Sequence, residues 1–408
     1  MSGVRMTRPS KWYGARTQLL ALWLGAVVGA PALAQEGKPA WVPANQLALE
    51  EKAPASAASP IVDPEVKQAN CPSCSGNLLA PELGGCATGT CAAGCYPGRK
   101  PCDCAWEADT CVGRFFGGLY NCICCPDPCY EPHWNPLADA ALFTDAPRPV
   151  TQTRFRFDGG WNMPFPDKAE YFWARADGKG KGPTPPKGVK GEIKLNYQDF
   201  SVYTEGAIDR IGVFVELPYR HISPELYPGA SGMADMNVGT KTLLLDCELT
   251  QVSFQFRTYA PTGNFTKGLG TGHVSLEPSL LFAFKLTDRL YAQSELAYLF
   301  PLGGDQTYQG PIFHYHGSLN YLLCNCGHDI QLIGTAEMVG YEIEGGAYTD
   351  PFTGTPLSAK DIGSIFSMGP GLRLEFCDKI DFGVGGLFSL TNDRMTKDLI
   401  RAEFRWRF

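Results

Sequence analysis

Nowhere does this 408-residue sequence carry the run of about eighteen apolar residues that a transmembrane helix needs. The apolar run Leu19 to Ala30 is short for a span and is followed at once by Pro31. A helical membrane protein is thereby excluded. A strong charge of one sign is missing too: the net charge is −7, with no basic footprint for a nucleic acid or other polyanion. The chain has no phosphate loop, no nucleophile elbow and no CxxCH for haem. Cys71 and Cys74 have ligand spacing, but no second well-spaced pair completes a zinc ribbon, and the crowded Cys122–Cys125 does not fit an iron–sulfur pattern. These absences leave an exported soluble protein or a β-barrel.

What is present begins at the N-terminus. Arg5, Arg8, Lys11 and Arg16 precede the apolar run, and PALAQ follows it, with Ala32 and Ala34 as small residues before a cut. Residues 1–34 read as a secretory signal peptide. Residues 35–70, rich in Ala, Pro, Glu and Lys, read as a flexible linker. Residues 71–130 form a small module with twelve cysteines: Cys71, Cys74, Cys86, Cys91, Cys95, Cys102, Cys104, Cys111, Cys122, Cys124, Cys125 and Cys129. Its apolar side chains are too few for a core, so staples are needed. Export places it where disulfides persist, at about 2–4 kcal/mol each. Residues 131–150 read as a Pro-studded lead-in with one short helical turn in LADAAL.

From Thr151 to Phe408 the chain has the beat of a meander. The last residues, KDLIRAEFRWRF, alternate strictly: Ile400, Ala402, Phe404, Trp406 and Phe408 on one face, Arg401, Glu403, Arg405 and Arg407 on the other. Strands are expected near 151–161, 192–206, 210–221, 233–245, 248–260, 273–286, 288–300, 311–323, 329–341, 362–376, 380–390 and 397–408. Long and short connections alternate, as in outer-membrane barrels with short periplasmic turns and longer outward loops. The fold class expected is therefore all-β: an up-and-down antiparallel transmembrane β-barrel of about 12 strands, preceded by the small cysteine-rich module. Closure removes the sheet edges that would otherwise aggregate. Gly 46 and 12% aromatics suit a turn-rich, aromatic-rich β protein.

By parity the lumen lining includes Arg154, Arg156, Glu216, Arg257, Glu277, Glu295, His314, His316, Glu337, Arg373, Arg401, Glu403 and Arg405. Glu192, Lys194, Asp235, Lys241, Lys285 and Glu375 are placed with them. Mixed charge of this kind suits either a polar conduit that orients a solute or paired charges packing a narrow barrel. His273 and Ser275 share a face, as in barrel phospholipases, but that face is the lumen and not the bilayer. His314 and His316 lack a third metal ligand. No enzyme, cofactor or metal is expected. Four further cysteines, Cys247, Cys324, Cys326 and Cys377, each fall at a short turn and are disulfide candidates bracing the periplasmic rim.

The run SGMADMNVGTKTLLL … FRTYAPTGNFTKGLGTGHVSLEPSLLFAFKLTDRLYAQSELAYLFPLGG, with MGPGLRLEF and EFRWRF, resembles the family called "MetA-pathway of phenol degradation". The resemblance covers about residues 158–408, is sharpest at PTG 261–263 and GTG 270–272, and leaves the cysteine module out. It implies an outer-membrane β-barrel transporter. The terminal strand also resembles those in which a final Phe is an assembly signal, which assigns that role to Phe408. The function expected is a channel for small solutes, apolar or aromatic ones among them. The alternative is a structural envelope protein, a barrel anchor carrying the periplasmic module. Partners would be outer-membrane lipid, the barrel assembly machinery and other envelope proteins through disulfides, with no nucleic acid.

Overall fold

The computed structural model describes residues 110–124, 134, 136–247, 249–325 and 330–408. The expected signal peptide, the linker and most of the cysteine module lie outside the described residues. The chain divides into two units, Met1–Gln68 and Ala69–Phe408, and every described residue belongs to the second. A helix, α1, spans Cys111–Cys124. No helix among the described residues is long and apolar enough to cross a membrane, which says nothing of crossing with strands.

Alternation in the sequence becomes strands with two unlike faces. They are β1 Gln152–Pro164, β2 Lys194–Ile208, β3 Ile211–Pro224, β4 Ala230–Met233 and β5 Met236–Asp246. Then follow β6 Thr250–Ala260, β7 Val274–Thr287, β8 Leu290–Leu302, β9 Ile312–Asn325 and β10 Ile330–Ile343. A small hairpin, β11 Ala347–Thr349 with β12 Pro356–Ser358, sits in the next loop. β13 Ser364–Phe376, β14 Ile380–Ser389 and β15 Asp398–Arg407 complete the sheet. Every neighbour pair is antiparallel, and β1 pairs with both β2 and β15, so the sheet closes. With β4 and β5 as one interrupted stave, the barrel has twelve strands.

The faces follow parity. In β3, Ile211, Val213, Leu217 and Tyr219 are exposed outward, while Phe214 and Glu216 are buried inward. In β15, Ile400, Phe404 and Trp406 face out and Glu403 and Arg405 in. An apolar exterior around a charged interior inverts the pattern of a water-soluble barrel and suits a bilayer. Three strands carry a proline well away from their ends. Pro218 lies where β3 passes from β5 to β4, and Pro278 and Pro370 lie in gaps of the β7–β8 and β13–β14 ladders. Proline has no N–H to donate, so the ladder opens beside it.

Three expectations are corrected. The segment 136–150 is not a lead-in outside the barrel. Its LADAAL turn is a 3-10 turn at Pro136–Asp139, and residues 137–147 are nearly all buried against inward-facing side chains. Cys111 and Cys377 are free, exposed thiols and not bridge partners. Cys377 occupies a tight turn with Asp378 at φ 54° and 56°, facing solvent. Cys247 and Cys324 are each disulfide-bonded, and Cys326 lies outside the described residues. Lys194 points outward and pairs with Glu225 at 3.6 Å. Polar residues stand on both faces of β2, so its parity misleads: Asn196 and Gln198 face out, Asp199 and Ser201 in.

Candidate functional site

The thirteen residues that parity selects are buried or half-buried on the inner face of the sheet, and several of them hold one segment of the chain. Residues 136–150 thread the lumen from the short-turn end. The barrel wall holds this strap by its backbone. Glu337 accepts the Leu142 and Phe143 amides at 2.8 and 2.7 Å, and Glu295 accepts the Asp145 amide at 3.2 Å. Arg373, Arg401 and Arg405 donate to carbonyls of Asp139, Ala140, Ala141 and Leu142 at 2.6–3.1 Å. His316 lies 3.1 Å from the Phe143 carbonyl, and Asn320 donates to Leu137 O at 2.8 Å. Such contacts replace the sheet partners that an irregular buried strand lacks. Leu142 fits a cradle where a Cβ on Gly371, Gly383 or Gly385 would come within 2.5–2.7 Å of its methyl groups.

Two aspartates of the strap enter the charge rows. Asp139 meets Arg405 at 2.6 Å and Arg407 at 3.3 Å. Those arginines also have wall partners: Arg405 meets Glu403 at 2.5 Å, and Arg407 meets Asp381 at 2.7 Å and Glu375 at 3.3 Å. Arg373 joins Asp381 and Glu403, and Arg156 bridges Glu216 and Glu403 at 3.2 Å each. Asp145 meets Arg257 at 2.7 Å and Arg154 at 3.7 Å. Glu277 stands 3.5 Å from Arg257 and 3.7 Å from His314. Sequence reading missed Asp139, Asp145 and Asp381. Asp381 lies in a Gly-rich strand with weak alternation, and the strap has no period at all.

At the other end, residues 165–191, between β1 and β2, fold over the mouth as a lid. Phe172 and Trp173 pack with Met163, Leu195, Ile222, Tyr227 and Leu269. The lid reaches five other loops, the first through Tyr227, whose hydroxyl donates to Ala176 O at 2.6 Å. Ala174 N donates to Gly270 O, Arg175 pairs with Asp305 at 2.8 Å, Asp167 accepts from Thr349, and Lys168 donates to Arg394 O at 3.0 Å. Burial pushes Asp167 and Glu170 up from the usual carboxyl range, and it lowers Lys168 to about 8. Ala169 and Glu170 take left-handed conformations, φ 50° and 51°. Asp235 organises the neighbouring loop. It accepts the Gly263 amide at 2.9 Å and the Thr271 amide at 2.7 Å, which explains PTG 261–263 and GTG 270–272.

Inside the barrel, bounded by lid residues Ala169 to Phe172, is a cavity of about 310 Å³. Arg156, Arg220, Arg257 and Arg401 line it with Tyr171, Tyr197, Tyr259 and Tyr341. Val339, Leu387 and Leu399 supply an apolar side. Arg220 is clamped by Asp199 at 2.7 Å and stacks 4.0 Å from the Phe172 ring. Neither alternative chemistry is assembled. Among the described residues no hydrogen bond joins His273 to Ser275, and no group of three or more side chains could hold a metal. His273 instead faces Thr271 O and Glu170. Glu192 is spent on the amides of Leu226 and Tyr227, away from the lumen.

A closed twelve-strand barrel with an apolar exterior, a charged interior and a threaded N-terminal strap defines a class: membrane β-barrels with an internally occluded lumen. Residues 136–397 match the family described as "Putative MetA-pathway of phenol degradation", and the chain belongs to it. Among solved structures the chain is similar to the COG4313 outer membrane channel from Pseudomonas putida F1. Identity is 14% and TM-score 0.41, over 68% of this chain and 100% of that one. It is also similar to the NanC porin, at 8% identity and TM-score 0.36, over 62% and 100% of the two chains. The KdgM porin matches at 8% identity and TM-score 0.32, over 63% and 99%. No curated protein matches the chain.

Proposed function

We propose that this protein is an outer-membrane channel for small solutes, held closed by its N-terminal strap and its lid. The observation that supports it most is the polar cavity of about 310 Å³ inside the barrel. A barrel that served only as an anchor has no use for such a chamber. Its tyrosines and leucines suit small aromatic or apolar solutes, and its arginines a polar end. The strap is gripped through its backbone and its two aspartates, with Leu137, Leu142 and Phe143 in small apolar clusters against the wall, and it is the removable part. This reading includes export by the N-terminal signal, Phe408 as an assembly signal read by the assembly machinery, and a periplasmic cysteine module that reaches neighbours through disulfides. It assigns no catalysis and no cofactor.

Planar-bilayer recording of the full chain tests it. Discrete conductance steps are expected, and they should be larger and more frequent when residues 136–149 are deleted. A silent deletion variant that still forms the barrel would favour the second reading, a structural anchor. That reading draws on the density of lumen ion pairs, which fill space that solute would need.

A further inference from the structure

The two strap aspartates look alike but leave different things behind. If the strap withdraws, the cations around Asp139 keep their wall partners Glu403, Asp381 and Glu375. The cations around Asp145 do not fare so well. Asp145 is the one carboxylate within 4.0 Å of the Arg154 guanidinium among the described residues. Arg154 is 2% exposed, lies 4.8 Å from the Tyr203 ring, and its Nε and one terminal nitrogen have no hydrogen-bond partner. Arg257 loses its 2.7 Å contact and keeps, as its one carboxylate within 4.0 Å, Glu277 at 3.5 Å. Its own Nε is likewise unbonded. Lys241, 0% exposed, has one carboxylate, Glu205, at 3.7 Å. A buried guanidinium stripped of its anion is strongly unfavourable, so a replacement anion is drawn in.

The geometry points to Asp145 as a built-in stand-in for the carboxylate of a transported solute, with Arg154 and Arg257 as the carboxylate-binding pair of the opened pore. This rests on the channel reading above and narrows its substrate class to small organic carboxylates. Arg257 lines the cavity, where Tyr259 is its neighbour on the same strand face, 3.4 Å from it. A solute whose ring rests among the tyrosines can therefore pass its carboxylate to Arg257 and then to Arg154. Two guanidiniums also discriminate a carboxylate from its neutral amide, because charge-assisted bonds are about twice as strong as neutral ones.

Benzoate and its neutral isostere benzamide are the probes, with full-length protein in detergent and in liposomes. Asp145→Asn is expected to bind benzoate saturably and at least about tenfold more tightly than benzamide. Adding Arg154→Gln should abolish that preference. Unheated and boiled samples on SDS gels report whether each variant is folded. Should Asp145→Asn fail to fold, the wild type serves: benzoate, and not benzamide, should expose the strap to protease cleavage within residues 136–149. Equal binding of both probes, or a preference unaffected by Arg154→Gln, overturns the assignment, as does equal strap protection in the wild type. Liposome flux separates this from the channel reading. If both probes pass at equal rates, the pore stands and the carboxylate site falls. If neither passes but benzoate binding depends on Arg154, the site stands and the pore falls.

Discussion

Glu403 shows how one residue governs the lumen. It contacts Arg156, Arg373 and Arg405 from three different strands, and it is 1% exposed. Removing one member of a buried network costs about 3–5 kcal/mol, because the partners are left charged and unpaired. Glu403→Gln should therefore lower the urea midpoint of barrel unfolding, whereas a change at the exposed Lys194–Glu225 pair should leave it within error. Gly371 makes the opposite kind of test. A Cβ there lies 2.5 Å from Thr335 Oγ1 and 2.7 Å from Leu142. Gly371→Val should push Leu142 out of its cradle and raise channel open probability while the barrel itself persists. Unchanged recordings would mean that the strap does not close the pore.

At the level of the element, the lid holds three buried ionisable groups in a row: Asp167, Lys168 and Glu170. Both carboxyl pKa values are raised in the closed lid, first of all by burial, so closure is favoured below their range and weakens as pH rises through it. The Lys168 ammonium, lowered to about 8 from 10.5 by burial, works the other way. Between about pH 8 and 10.5 the open form binds more protons than the closed one, so closure strengthens as pH rises. Trp173 burial, read by fluorescence quenching with iodide, should fall as pH rises through the carboxyl range and recover between about pH 8 and 10.5. A monotonic profile would contradict this. Closure also carries backbone strain at Ala169, so Ala169→Gly should tighten the lid by about 1 kcal/mol.

For the whole molecule, closure of β1 on β15 is the decisive contact. Phe408 N donates to Thr151 O at 3.1 Å, and its ring lies 4.8 Å from Trp406 on the outer face. Deleting Phe408 removes the last rung of the seam, and the fraction of protein that runs faster unheated than boiled on SDS gels should fall. Equal yields of folded barrel would show that the seam closes without it. The long loops gather at one end and the short turns at the other. That polarity lets a single lid reach five loops, while the strap enters from the turn end.

The barrel was legible in the order of the amino acids. Period-two alternation sets which side chains face in, because a strand has only two faces, and the even beat of turns sets which strands are neighbours. Hence Arg401, Glu403 and Arg405 could be read from KDLIRAEFRWRF alone. Alternation failed at Lys194, where both faces of β2 are polar, and in Gly-rich β14, where Asp381 was overlooked. The strap was out of reach for a different reason. Its backbone is irregular, and apart from Arg154 its main partners are carboxylates and guanidiniums some 110 to 270 residues away. No local pattern encodes such partners. Only closure of the barrel brings Arg154, Arg257 and Asp145 together, and only that juxtaposition turns a row of mixed charges into a site.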